Sequence, residues 1–412
     1  MLKKTLAASL LATALLLSAP ASAQIKIAMI EGMSGPFARS GEALFAHLRA
    51  ESELINQAGG VLGQKFEMIA FDGKSSPQES LVQLRSITDQ GIRYVTQGAS
   101  SGVAHALIDA INKWNARNPD KTVLFLNYAA MDPSLTNEKC SFWHFRFDAN
   151  SDMKVEAITN LMEKDKSIKK VYIIGQDYAH GHQTAKAAKA MLAKKRPDIK
   201  IVGEDLHPIG KVKDFAPYVA KIVASGADTV ITGNWGNDLS LLVKSAKDAG
   251  LKARFYTMYA GSTGGPSSIA FAPEGQVTQI SDWHRNVTAG KASLNTWIDD
   301  FNKKNRPNEF IYMRIKNQMG MLAKAMSSAK STDPKAVATA LEDMRFPGET
   351  GEIWMRKADH QVHMPLYLSY FVKTDKKTVR YEAEETGLGW KTVATVAMRD
   401  SQLPTSCIME RP

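Results

Sequence analysis

Residues 25–36 read IKIAMIEGMSGP, and this stretch predicts the fold most directly. The mostly apolar residues 25–30 predict a buried strand, and the run with glycine and proline that follows predicts a turn. A helix is predicted from about residue 42 to residue 57, because Leu44, Leu48 and Ile55 fall on one stripe at helical spacing. The stretch therefore opens a strand–turn–helix unit.

The same unit recurs along the chain. Further strands are predicted at residues 66–71, 94–96 and 123–126, with helices between them. After residue 148 the alternation restarts with strands at 171–174, 199–202, 229–232 and 255–258, then a helical stretch at 293–344 and β-like segments at 366–372, 379–382 and 393–398. Such alternation is typical of parallel sheets covered by helices on both faces. The sequence predicts an α/β protein.

The first 23 residues have the layout of a secretory signal peptide. Lys3 and Lys4 precede a short apolar run, residues 6–17, and an A-x-A cleavage signal follows at residues 21–23. The run is too short to cross a bilayer about 30 Å thick. We expect the mature protein to begin near Gln24, outside the cytoplasm. The alternative is a retained N-terminal anchor.

Length and charge narrow the class of protein further. The chain has 412 residues, and the part after residue 23 exceeds the size of a single hydrophobic core, about 250–300 residues, so two lobes are expected. The net charge is +10. Nucleic acid is a poor partner for it, because the compartment is wrong and the lysines are spread along helices. A solvated basic surface, or mild attraction to anionic solutes, explains the charge.

The only two cysteines are Cys140 and Cys407. In a secreted chain an even number of cysteines favours a disulfide. The bridge would attach the end of the chain to a point before the predicted restart of the alternation at residue 148. The alternative is two separate buried thiols.

The turn at residues 98–102, GASSG, is the sharpest local motif. It matches the nucleophile elbow of serine hydrolases, and it equally suits an anion-binding turn at a helix start or plain helix capping. No phosphate-binding or dinucleotide-binding glycine motif is present. His180 and His182 lack the further ligands that a metal site needs. We therefore expect neither a cofactor nor a metal.

Four stretches together resemble the periplasmic solute-binding proteins of branched-chain amino acid ABC transporters. They are the turn at 34–41, the segment INQAGGVLG at 55–63 followed by Phe71 and Asp72, the loop AAMDPSLT at 129–136 and the loop DYAHG at 177–181. The resemblance covers nearly the whole mature chain. It implies the type I periplasmic binding fold, with two doubly wound parallel-sheet lobes joined by three crossovers.

The resemblance also implies where the lobes begin and end. We expect crossovers near residues 145–148, 279–282 and 346–352. The first lobe would then comprise residues 24–147 and 281–347, the second lobe 148–280 and 348–395, and residues 396–412 would form a tail returning to the first lobe. Ligand would bind in the cleft between the lobes, at the carboxyl ends of the strands.

The resemblance implies a set of ligand-binding residues as well. Ser100 and Ser101 would hold a ligand carboxylate, with help from the backbone at Ala129 and Ala130. Tyr178 would reach in from the second lobe. Asn234 and Trp235 occupy another contact region of the family, with a plain core tryptophan as the alternative for Trp235. Tyr128 and Tyr259 add aromatic side chains near the same loops, and Arg39 is a candidate charge partner whose alternative is a solvated arginine.

One departure from the family pattern concerns the ligand. Amino-acid binders of this family place an acidic residue after the strand at 255–258, to pair the ligand's ammonium. Here residues 259–265 read YAGSTGG, without an acid. An unpaired ammonium in a dry cleft would cost several kcal/mol. The sequence therefore favours an aromatic or other apolar carboxylate, with a branched-chain amino acid as the alternative.

Taken together, these features predict a periplasmic, monomeric, non-enzymatic solute-binding protein that delivers its ligand to the membrane permease subunits of an ABC importer. Two other classes of function stay open on the sequence alone. One is the ligand-sensing domain of a signalling system. The other is a secreted serine hydrolase with Ser100 as its nucleophile.

Overall fold

The computed structural model describes residues 24–412, so the predicted signal peptide lies outside the described residues. The strands are β1 Gln24–Glu31, β2 Lys65–Asp72, β3 Tyr94–Gln97, β4 Leu124–Asn127, β5 His144–Arg146, β6 Lys170–Gln176, β7 Lys200–His207, β8 Thr229–Thr232, β9 Arg254–Thr257, β10 Val277–Ser281, β11 Arg345–Gly348, β12 Gly351–Arg356, β13 Gln361–His363, β14 Leu366–Lys373 and β15 Leu388–Val396.

The helices alternate with these strands for most of the chain. They are α1 Ala38–Gln57, α2 Pro77–Asp89, α3 Ser101–Arg117, α4 Ser151–Lys164, α5 Ala179–Lys195, α6 Ala216–Ser225, α7 Gly236–Asp248, α8 Gly265–Ile269, α9 Ala292–Lys304, α10 Met313–Ala329 and α11 Pro334–Leu341. Among the described residues, none of the helices is both long enough and apolar enough to cross a bilayer.

The strands form two sheets, one in each lobe. The first lobe has eight strands in the order β11-β12-β13-β5-β4-β3-β1-β2, and the second has seven in the order β15-β14-β10-β9-β8-β6-β7. The pairs from β1 to β5 and from β6 to β10 are parallel. Strand β1 is buried from residue 27 onward, as expected for a strand covered on both faces. The predicted α/β fold with two parallel-dominated lobes is confirmed.

The chain crosses between the lobes three times. The first two crossings lie at residues 147–150, between β5 and α4, and at residues 282–284, after β10. The third lies at residues 364–365, between β13 and β14, and the predicted position at 346–352 is wrong. The residues predicted there as a linker form a hairpin, β11–β12, which continues through β13 onto the edge of β5. Residues 348–363 therefore belong to the first lobe.

The C-terminal tail lies on the first lobe. Cys407 is disulfide-bonded to Cys140, as predicted. Nearby, the Thr405 hydroxyl donates to the carbonyl of Thr136 at 3.1 Å. The guanidinium of Arg356 donates to the carbonyl of Leu403 at 2.8 Å. The tail is thus attached after the chain's last visit to the second lobe.

We predict that the double variant Cys140→Ser/Cys407→Ser unfolds at lower urea concentration than the parent. The disulfide closes a loop across 267 residues of sequence, and removing a native disulfide typically costs about 2–5 kcal/mol of unfolding free energy. Urea titration followed by circular dichroism measures the loss. Ser406→Ala is the control, because the backbone amide of Ser406, and not its side chain, contacts Asn137. Equal midpoints for the double variant and the parent would contradict the prediction.

Candidate functional site

A cavity of about 520 Å³ lies between the two lobes, at the carboxyl ends of β3, β4 and β9. Open α/β sheets bind ligands at this edge. The first residues of α3, α5 and α7 also lie at or beside its wall, so the partial positive charge of three helix starts is directed toward it. The lining residues are Ser40, Leu44, Gly98, Ala99, Ser101, Tyr128, Ala129, Ala130, Met131, Tyr178, His180, Trp235, Gly236, Tyr259, Ser262, Tyr312 and Arg314.

The lobes touch each other around this cavity. The Tyr259 hydroxyl, in the second lobe, donates to the carbonyl of Ala129, in the first, at 3.0 Å. The rings of Phe37 and Trp235 lie 4.5 Å apart between centroids. A hydrogen bond of 3.2 Å joins the hydroxyls of Thr263 and Tyr312. These contacts can form only when the lobes are close, so they connect cleft closure to the shape of the cavity.

Glu31, at the end of β1, already occupies part of the predicted anion-binding turn. Its carboxylate accepts the amides of Gly98 at 2.8 Å and Ala99 at 2.9 Å, and the hydroxyl of Tyr128. Burial raises the pKa of Glu31, and these hydrogen bonds oppose that rise. A Cβ at Gly98 would lie 2.5 Å from a ring carbon of Tyr128, so this close approach requires glycine. Tyr128 therefore contributes its ring to the cavity, and its hydroxyl holds the turn.

The two serines of the turn have different positions. The Ser100 side chain caps α3 by accepting the amide of Val103 at 3.4 Å, and Ser100 is not among the residues that line the cavity. Ser101 lines the cavity, and its oxygen accepts the amide of Asp132 at 3.2 Å. The hydrogen of the Ser101 hydroxyl stays available to a ligand oxygen. Ser101 is thus the better placed of the two predicted carboxylate contacts.

The predicted backbone contacts are partly engaged within the protein. Ala129 and Ala130 both line the cavity, but both amides donate to the side-chain oxygen of Asn127, at 3.1 and 2.7 Å. The carbonyl of Ala130 accepts the Asn127 amide group at 3.0 Å. The loop is therefore held by hydrogen bonds within the protein, and both predicted amide donors are already used.

The second lobe supplies an aromatic wall. Trp235 donates from its indole nitrogen to the Tyr178 hydroxyl at 2.9 Å, which fixes both rings. His180 lies beside them, and its imidazole ring contacts the rings of Tyr178 and Tyr259. Burial lowers the pKa of His180 to about 4, so this imidazole is neutral near pH 7. The wall offers flat apolar surface with few polar atoms.

Besides Ser100, two predicted site residues lie outside the cavity. The Asn234 side chain is buried against His207, with 2.9 Å between its amide nitrogen and the imidazole, so it supports the loop from behind. Arg39 is exposed and lines a separate surface cavity with Glu309 and Glu384. Both were predicted from position in the chain alone, which does not determine the direction of a side chain.

Sequence reasoning missed Arg314, which supplies the cation of the cavity. Arg314 is the second residue of α10 and lines the cavity with its side chain only 8% exposed. Its Nε atom is buried without a hydrogen-bond partner. The burial of Arg314 depends on tertiary contacts with residues distant in the sequence, so the local pattern around α10 gives no signal for it.

Arg314 belongs to a buried cluster of four charges at the crossings. Its Nη1 lies 3.2 Å from Asp282 and its Nε 3.6 Å from Asp148. Lys154, from α4, lies 2.9 Å from the same Asp148 carboxylate oxygen. Burial acts to lower the pKa of Arg314, but Asp148 and Asp282 more than offset it and keep the pKa raised. The guanidinium is therefore a permanent charge, and its Nε faces Asp148 without forming a hydrogen bond.

A cavity between two α/β lobes is typical of ligand-binding proteins, and sequence comparison identifies the family. The model of the family described as periplasmic binding protein matches residues 24–377. The chain therefore belongs to the periplasmic binding protein family, and the resemblance carried by the four stretches is confirmed. It is a ligand-binding protein of the ABC transporter type, and its homologues are solute-binding proteins and not enzymes.

Two relatives are similar in sequence to this chain over nearly its full length. The Leu/Ile/Val-binding protein homolog 4 of Brucella abortus is 33% identical over 405 residues, 96% of this chain and 95% of the relative. The structure of a leucine-, isoleucine-, valine-, threonine- and alanine-binding protein from Brucella ovis, in its closed conformation, matches with a TM-score of 0.81 at 32% identity, covering 95% and 100% of the two chains.

A third protein of similar fold has been solved with a different kind of ligand. A solute binding protein of an ABC transporter from Rhodopseudomonas palustris, in complex with p-hydroxybenzoic acid, matches with a TM-score of 0.76 at 20% identity. The match covers 91% of this chain and 98% of that one. At this identity the likeness concerns the fold alone.

We predict that Ser101→Ala weakens ligand binding by about 1.5–3 kcal/mol, the value of a hydrogen bond to a charged group. Ser100→Ala is the matched control. It should lower the unfolding free energy by about 1 kcal/mol through the lost helix cap and leave the dissociation constant unchanged. The measurement is calorimetric titration with the ligand first identified by mass spectrometry of denatured protein. Weaker binding in Ser100→Ala than in Ser101→Ala would reverse the assignment.

We predict a pH-dependent stability contribution from His180. Its folded pKa of about 4 lies below the unfolded value of 6.5, so the unfolded state takes up the proton first as pH falls. The contribution is complete above pH 6.5 and is lost toward pH 4, by about 1.4 kcal/mol per pH unit. Urea unfolding should show a shallower acid loss in His180→Gln than in the parent. Parallel pH curves would contradict a neutral, buried His180.

Proposed function

We propose that this protein captures a small apolar carboxylate, an aromatic acid in the first place, between its lobes and delivers it to an ABC importer. The observation that carries the proposal is the composition of the cavity wall. Among the described residues that line it, none is acidic, and Arg314 is the one side chain with a permanent positive charge. Five aromatic side chains complete the wall: Tyr128, Tyr178, Trp235, Tyr259 and Tyr312.

Each part of such a ligand has a matching part of the cavity. The carboxylate would meet the guanidinium of Arg314 and the hydroxyl of Ser101, which both line the cavity, in a charge-assisted arrangement. The ring would lie against Trp235 and Tyr178, which are held in place by their own hydrogen bond. Aromatic rings in contact contribute about 0.5–1.5 kcal/mol beyond the area they bury. The converging helix starts favour the same negative end of the ligand.

An α-amino acid fits this cavity less well. The carboxylate of Glu31, behind the turn at residues 98–99, already accepts three hydrogen bonds from Gly98, Ala99 and Tyr128. Asp72 likewise accepts the amides of Met33 and Lys74. An ammonium closed into the cavity would therefore meet no carboxylate among the residues that line it, and leaving it unpaired costs several kcal/mol.

The relatives support both ligand classes. The p-hydroxybenzoic acid complex from Rhodopseudomonas palustris indicates that the fold accommodates an aromatic carboxylate. The Brucella abortus and Brucella ovis relatives, named for branched-chain and other amino acids, are more similar in sequence and favour an amino acid. A branched-chain amino acid is therefore the second candidate, and the composition of the cavity wall ranks it below an aromatic acid.

The rest of the proposal concerns where the protein works and with what. Its relatives are periplasmic binding proteins, and residues 1–23 have the composition of a signal peptide. We therefore propose a monomeric periplasmic protein whose closed, liganded form contacts the permease subunits. Ligand would shift the lobes toward closure only by its differential affinity for the closed form.

The test compares aromatic acids with branched-chain amino acids on the mature chain. Benzoate and 4-hydroxybenzoate should raise the melting temperature, because a ligand at 100 times its dissociation constant adds about 2.7 kcal/mol of stability. Leucine, isoleucine and valine should have little effect. Trp235→Ala should weaken aromatic-acid binding, and Trp297→Ala, a substitution of the same type outside the cavity, should not. Stabilisation by leucine and not by the aromatic acids would make the amino acid the ligand.

A further inference from the structure

A second cavity, of about 750 Å³, lies beside the first and against the crossings. The two cavities share four wall residues: Tyr259, Ser262, Tyr312 and Arg314. The other walls differ, because the second cavity is lined by the crossing residues 282–284 and by residues 309–312 and 381–383. We call this second space the crossing cavity. The proposed carboxylate ligand does not require it.

The crossing cavity has an unused acceptor on its wall. Asp282 lies at the second crossing with its side chain only 2% exposed, and its Oδ1 pairs with Arg314. Its other oxygen, Oδ2, is buried and has no hydrogen-bond partner. The Ser281 hydroxyl next to it is also buried without a partner. A buried carboxylate oxygen left unsatisfied costs free energy, which a ligand that donates a hydrogen bond would recover.

The cations on the same wall are already paired. Lys154 pairs with Asp148, at 2.9 Å between Nζ and Oδ2. Arg285 pairs with Asp299 at 2.6 Å. Glu309, also on the wall, adds a further carboxylate that accepts the backbone amide of Glu384 at 3.0 Å. The free groups of the crossing cavity are thus mostly acceptors, and they suit a donor with positive charge.

Aromatic rings form the remaining walls. Trp283 and Trp390 are 3% and 4% exposed, and both line the cavity together with Phe310 and Tyr312. The Trp283 indole donates to the hydroxyl of Thr288 at 3.0 Å, so this ring is fixed. A cation within about 6 Å of such a ring face is attracted by the ring quadrupole, and more strongly when the cation is desolvated. An acid among aromatic rings is the chemistry that recognises an organic ammonium.

The crossing cavity adjoins a cavity at the protein surface. Asn302 and Glu309 line both this cavity and a larger surface cavity of about 1180 Å³ that is also lined by Arg306 and Glu384. A small molecule entering from this surface would meet Glu309 before Asp282. It would not need to pass Trp235 or Ser101 in the first cavity.

We propose that the crossing cavity is a second binding site, for a small organic ammonium, in which Asp282 accepts the ammonium hydrogen bonds and Trp283 and its neighbours cover the apolar part. This site goes beyond the proposed carboxylate function. Since its walls come from both lobes and from the second crossing, its occupant contacts the segments that reposition when the lobes close.

The test uses benzylammonium as the probe, on the folded mature chain. Calorimetric titration should show binding of benzylammonium and at least tenfold weaker binding of benzyl alcohol, which has the same ring without the charge. Asp282→Asn should weaken benzylammonium binding at least tenfold, and Glu309→Gln severalfold. Glu274→Gln is the control, because Glu274 is exposed, lies outside the crossing cavity, and its carboxylate accepts the amide of Lys373. Circular dichroism checks that each variant is folded.

Trp235→Ala separates this site from the first cavity, because Trp235 lines only the first and Asp282 only the second. Benzylammonium binding that persists in Trp235→Ala supports the proposal, whether or not any carboxylate binds. If Asp282→Asn does not fold, Glu309→Gln carries the same comparison. The proposal is overturned if the parent does not bind benzylammonium, if benzyl alcohol binds equally well, or if Trp235→Ala abolishes binding while the acid variants retain it.

Discussion

Asp148 is the residue on which the arrangement of the two lobes most depends. It lies at the first crossing, fully buried, and its carboxylate faces Lys154 of the second lobe and Arg314 of the first. Asp282, at the second crossing, completes the cluster. Removing one partner of a buried ion pair typically costs about 3–5 kcal/mol, because the other charge is left uncompensated. Two of the three crossings are therefore held by one balanced set of charges.

The same cluster determines what the cleft can bind. Because Asp148 and Asp282 hold Arg314 at the base of the cavity, its charge is present without a flexible side chain having to be ordered on binding. Lys154 lies over the ring of Tyr259, 5.1 Å from its centroid, and Tyr259 in turn donates to Ala129 in the other lobe. Charge at the crossings, the aromatic wall and closure of the lobes thus form one connected set of contacts.

Local pattern in the sequence predicted the two lobes and the strands β1–β4, β6–β9, β14 and β15, but not β5, β10 or β11–β13. It also pointed to several residues that line the cavity. The apolar run at 25–30, the turn at 98–102 and the loops that hold Tyr178 and Trp235 are continuous segments, so their spacing could be read directly. Arg314 could not be found in this way, because its burial depends on Asp148 and Asp282, which are distant in the chain. The third crossing was misplaced for a similar reason, since β13 has three residues and pairs with β5 from far away in sequence.

The most direct test of this account is a crystal structure of the mature chain with its ligand bound. The account predicts a carboxylate between Arg314 and Ser101, at charge-assisted hydrogen-bond distances of about 2.7–2.9 Å, with an apolar body against Trp235. The four charges at the crossings should keep their pairing. A ligand carboxylate turned away from Arg314, or an ammonium in the cavity paired with an acid of the protein, would contradict the account.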